Sequence, residues 1–68
     1  MPRLGLYEHV RLLRTIGAAP AGAHGSIVLV GPDGYEVEVF DSDGETIDVV
    51  SASADDLESA EPTRRAVA

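Results

Sequence analysis

The sequence predicts an all-β domain, a small antiparallel barrel of four to five strands with one short helical turn. Three observations carry that prediction. Tyr35, Val37 and Val39 alternate with Glu36 and Glu38, the period of a strand with one face in the core and one in water. Asp33-Gly34 is followed ten residues later by Asp43-Gly44, the spacing of successive hairpin turns in a small barrel. The chain has 68 residues, which suits a single domain.

The elements follow in order. Met1–Tyr7 is a lead-in containing a Pro and a Gly. Glu8–Thr15 reads as the first strand, with Val10 and Leu12 on one face, Arg11 on the other, and Leu13 out of phase. A helix over Leu4–Ile16 competes, because Leu and Arg are good helix formers, but the strand is the preferred reading. Gly17–Gly22 is a loop punctuated by Gly17, Pro20 and Gly22. Ala23–Val30 is the second strand, and its Ile27-Val28-Leu29-Val30 run is apolar on both faces, as in a central strand of a closed wall.

Gly31-Pro32-Asp33-Gly34 is a turn in which Pro32 restricts φ and Gly34 is expected to supply a positive φ. Tyr35–Asp41 is the third strand, Asp41-Ser42-Asp43-Gly44 the next turn, and Glu45–Ser51 the fourth strand. Ser53–Leu57 reads as a helical turn with Ser53 as N-cap and Asp55 and Asp56 at its positive end. Glu58–Ala60 is a brief closing strand. The domain is thus expected over residues 1–60, with residues 61–68 a flexible C-terminal tail. Its inward set is expected to be Val10, Leu12, Val28, Val30, Val37, Val39, Ile47, Val49 and Leu57. Only 4% of residues are aromatic, so such a core must be aliphatic.

Strands in this order, with one helical turn before the last, suggest an SH3-like barrel. The same residues resemble the small bacterial family called domain of unknown function 4926. The resemblance rests on Val10-Arg11-Leu12-Leu13, on Pro20-Ala21-Gly22-Ala23-His24-Gly25-Ser26-Ile27-Val28, on the run from Tyr35 to Gly44, and on Asp55-Asp56-Leu57-Glu58. It covers most of residues 7–58. The pattern around Pro20, Gly22 and Gly25 is shared more widely by SH3-like barrels, including those of nitrile hydratase β-subunits and ribosome-associated modules. The resemblance therefore implies a fold. The family carries no established catalytic residues, so no catalytic role is transferred.

Charge narrows the function. Twelve acidic residues face five basic ones, all Arg, for a net charge of −7. Such a domain repels phosphate backbones and anionic lipid heads, so neither nucleic acid nor membrane is an expected partner. There is no Cys, which removes disulfides, thiolate metal sites and Cys nucleophiles. A small domain without disulfides suggests a reducing cytoplasm. No apolar run approaches the length of a bilayer span.

Candidate chemical sites fail one after another. Asp41-Ser42-Asp43-Gly44-Glu45 has its Gly and its acids at the wrong offsets for a calcium loop, and a hairpin turn explains it better. His9 and His24 lie on different strands with no third ligand nearby, as ordinary surface or half-buried imidazoles do. No Gly-x-Ser-x-Gly elbow occurs, and Glu36 and Glu38 face outward, where their carboxyls are solvated. No enzymatic activity and no cofactor are expected.

The remaining expectation is a surface. Glu36, Glu38, Phe40, Asp41 and Asp43 form a candidate partner-binding set, with Phe40 or an exposed Leu13 as apolar anchor. It suits a basic protein partner, such as a toxin encoded nearby, with this chain its antitoxin or immunity partner. A nucleic-acid or ribosome-associated module and a metalloenzyme accessory domain are the alternatives by fold. Homodimerisation through the Ile27–Val30 run is the competing association.

Overall fold

The computed structural model describes residues 4–60. They form five strands: β1 (His9–Leu12), β2 (His24–Val30), β3 (Tyr35–Phe40), β4 (Thr46–Ala52) and β5 (Leu57–Ser59). One 3-10 turn, Ala54–Asp56, precedes β5. All pairings are antiparallel, in the order β4-β3-β2-β1-β5. This order is compatible with an SH3-like barrel. The wall is not closed, because β4 and β5 end the sheet and no ladder among the described residues joins them. The expected tail, residues 61–68, lies outside the described residues.

The first strand is shorter than expected. It stops at Leu12, and Leu13, about half exposed, donates its backbone N–H to Asp56 O near the 3-10 turn. The following loop folds back on β1: Gly22 N–H bonds to Leu12 O, and Ile16 bridges Ala19. Its fully buried Ala19 joins the core, and Ala18 N–H donates to Asp48 Oδ2 on β4 at 3.3 Å. This loop provides a link between the β1 side and β4 where the ladder leaves a gap.

The core takes Val10 and Leu12 from β1, Ile27 from β2, Val37 and Val39 from β3, Val50 and Ala52 from β4, and Leu57 from β5. Each fully buried Val, Leu or Ile contributes about 1.5–3 kcal/mol by leaving water. Four expected core residues differ. Val28, Val30 and Val49 are exposed, and Ile47 is only half-buried. Register, with one β-bulge in β2 and one in β4, accounts for Val28, Ile47 and Val49, while Val30 stands opposite Tyr35 at the end of β2. Between Ile27↔Val37 and Leu29↔Glu36 the register skips Val28, so Ile27 is the β2 residue that reaches the core. Between Val39↔Asp48 and Phe40↔Thr46 it skips Ile47, and the buried positions of β4 become Val50 and Ala52. A bulge inserts one residue against its partner strand and so changes which side chains reach a given face.

The turns divide in the same way. Gly44 has φ +86, a left-handed conformation that glycine adopts without strain. Gly34 does not take the expected positive φ. A Cβ there would lie 2.8 Å from Ala52 O, so close approach of β4 is what requires glycine. Ser53 precedes the 3-10 turn as expected, and its backbone N–H donates to Asp56 Oδ2 at 3.1 Å.

Candidate functional site

Residues 36, 38 and 40 of β3 share the outer face of the sheet, because side chains two apart point the same way. Glu36 and Glu38 are half-buried and held in place. Ser51 Oγ donates to Glu36 Oε2, and Thr46 Oγ1 to Glu38 Oε2, each at 2.6 Å. Both hydroxyls come from β4, so the adjoining strand orients the two carboxylates. The structure thus brings Glu36 and Glu38 together on one rigid ribbon.

Asp41 and Asp43 lie beyond the end of that strand, exposed in the turn. The Asp41 side chain is turned inward on the backbone, with Oδ1 accepting the N–H groups of Asp43 at 2.8 Å and Glu45 at 3.0 Å. That bonding is the hairpin chemistry expected of the run. Asp43 projects from the turn without a bond to another described side chain. Phe40 is half-buried beside a groove of about 600 Å³ that Ala21, His24 and Ile47 also line. Leu13 sits against the 3-10 turn rather than on the β3–β4 ribbon.

Charge is distributed unevenly. Among the described residues the basic side chains other than His are Arg11 and Arg14, and both are engaged. Arg11 pairs with Glu58 across β1 and β5. Arg14 Nε donates to Asp56 Oδ1 at 2.8 Å. This guanidinium, followed by the Ser53 backbone N–H, holds the Asp56 carboxyl below the usual aspartate range. Every other described carboxylate is without an ion pair among the described residues, including all those on β3, its flanking turns and β4.

Three features are absent from the sequence reading. His9 and His24 meet edge to face, ring centroids 5.8 Å apart, although fifteen positions separate them. Their strands pair with His9 opposite Ser26 and Arg11 opposite His24, which sets the two rings diagonally. No group of three or more His, Cys, Asp or Glu among the described residues is arranged to hold a metal ion. Leu29 and Val49 are both 53% exposed; Leu29 stands opposite Glu36 and Val49 opposite Glu38. Tyr7 adopts φ +65, a sterically costly conformation for an aromatic residue, and is 73% exposed. Only the strand register and backbone reveal these relations; no local pattern signals them.

No helix among the described residues is long and apolar enough to cross a membrane. Comparison with family models, curated proteins and solved structures yields no match. The site is therefore defined by its own geometry: two oriented glutamates, acidic turns at both ends of their strand, and exposed apolar side chains beside them.

Proposed function

We propose that this chain is a small acidic protein-binding module, a cytoplasmic antitoxin or immunity-type partner that neutralises a basic protein. On this reading it has no enzymatic activity of its own and uses no cofactor. Its kinship is with the domain of unknown function 4926 family, whose motif residues it resembles.

One observation carries the proposal. Arg11 and Arg14 are engaged on the β1–β5 side, which leaves the β3–β4 ribbon with carboxylates and no cation among the described residues. An oriented surface of one sign attracts a partner of the opposite sign and accelerates encounter. Glu36 and Glu38 are already fixed by Ser51 and Thr46, so docking needs little further ordering of these side chains.

The test is affinity capture from the source cells with wild type and with the double variant Glu36→Lys/Glu38→Lys. The expected result is a basic protein whose association slows about tenfold or more with the variant and loses much of its salt dependence. Equal capture with unchanged salt dependence would overturn the proposal. A low-salt mobility-shift assay with duplex DNA and with RNA is expected to show no complex.

A further inference from the structure

The outer face carries an apolar step as well as acids. At the β2 bulge, Val28 and Leu29 stand against Glu36, and they are 37% and 53% exposed. Beside them runs the segment before β1. Tyr7 N–H donates to Ile27 O at 2.6 Å, and Ile27 N–H donates to Glu8 O at 3.1 Å. The Tyr7 backbone is therefore fastened to β2, yet its side chain is 73% exposed and that of Leu6 is 50% exposed. A backbone that holds an aromatic residue at positive φ while presenting it to solvent displays that residue rather than stores it.

We infer that Leu6, Tyr7, Val28 and Leu29 form the apolar anchor of the partner-binding surface, and that the partner is a protein with an uncharged apolar centre ringed by Lys and Arg. The inference rests on the function proposed above and adds the place and chemistry of the anchor. Acids border the step: Asp33 lies in the turn after β2, and Glu36 faces Leu29. An apolar centre within a polar rim is the usual anatomy of a protein interface, and tyrosine is prominent among its strongest contacts.

Charge selects the occupant. In a two-fold dimer the same patch meets itself, so Glu36 and Asp33 would face the acids of the other copy. Arg11 and Arg14 are held by Glu58 and Asp56 and do not offset that repulsion. A basic rim meets the acids without such a conflict. The division of labour follows: the acids govern encounter, and the apolar step governs dissociation.

The experiment places a photo-crosslinking amino acid at Val28 of the full chain in the source cells, identifies the adduct by mass spectrometry, and purifies that protein as the probe. Its binding is then followed by surface plasmon resonance at low and high salt. Tyr7→Ser/Leu29→Asn is expected to raise the dissociation rate about tenfold or more with little change in association rate. Glu36→Lys/Glu38→Lys is expected to do the reverse. Leu6→Ser/Val28→Thr gives an independent reading should the first variant fail to fold by circular dichroism. Unchanged dissociation in the apolar variants, with association still slowed by charge reversal, overturns the anchor and leaves the acidic surface standing. Indifference to both sets of substitutions overturns both. An adduct to a protein without net positive charge, or no adduct at Val28 when one forms at Glu38, overturns the anchor. So does a concentration-dependent dimer, by light scattering, that the apolar variants dissolve.

Discussion

The two flanks of the sheet treat their carboxylates differently. On the β1–β5 flank, Glu58 and Asp56 meet Arg11 and Arg14. On the β3–β4 flank, Glu36 and Glu38 meet hydroxyls, Asp41 meets backbone N–H groups, and none has a cation among the described residues. Hydrogen bonds from hydroxyls orient a carboxylate without neutralising it, whereas a guanidinium does both. One flank therefore neutralises two of its carboxylates within the fold, and the other neutralises none among the described residues. A net charge alone does not distinguish these arrangements.

The largest test removes the residue on which both flanks converge. Ile27 is fully buried on central β2, and Ile27→Ala is expected to cost about 2–5 kcal/mol in urea unfolding. That is a large part of the stability of so small a domain. Val28→Ala, one position along, is expected to stay within about 0.5 kcal/mol of wild type. Equal losses at the two positions would remove the bulge from the account, and with it the exposed step beside Glu36.

The next test strikes the acidic flank alone. Gly34→Ala sets a Cβ 2.8 Å from Ala52 O and should cost about 1–3 kcal/mol by forcing β4 away from the turn. The β3–β4 amides should lose hydrogen-exchange protection more than those of β1 and β5. Uniform loss across the sheet would mean that the flanks do not separate.

Asp56 sharpens the other flank through pH. The Arg14 hydrogen bond first, then that from the Ser53 backbone, lowers its folded pKa. The unfolded chain, with aspartate near 3.9, takes up the proton first as pH falls. The stabilisation is therefore fully present above the unfolded value and is lost as pH drops through the lowered folded value. Between pH 7 and pH 3, Asp56→Asn is expected to lose less in thermal midpoint than wild type. An equal loss would sever Asp56 from the acid limb.

The smallest effect on folding is expected from Glu36→Lys/Glu38→Lys. Both side chains lie on the outer face, and the change should move unfolding by about 1 kcal/mol or less while altering partner association most. A large loss of stability would make these glutamates structural rather than recognitive.

Much of the fold was legible because its signals are local. The alternation from Tyr35 to Phe40, the two Asp-Gly turns and Ser53 before the 3-10 turn act within a few residues, and each stands where the sequence places it. The candidate site was legible in part. Glu36 and Glu38 on one face follow from β3 alternation, whereas the surroundings of Phe40 and Leu13 do not. Phe40 turns toward the groove with His24 and Ile47, and Leu13 lies by the 3-10 turn. The exposed step was not legible, since an Ile-Val-Leu-Val run reads as core from composition alone.

By itself, then, the sequence determined the class of fold, the order of the strands along the chain, the places of the turns and the excess of negative charge. Those properties depend on residue type, short-range periodicity and sums over the chain. Tertiary structure decided which of Ile27, Val28 and Val30 enters the core, why Gly34 must be glycine, how His9 meets His24, and which carboxylates keep their charge exposed. Each of these depends on the register between strands distant in sequence. A bulge changes that register by a single residue, and one residue is enough to exchange a buried side chain for an exposed one.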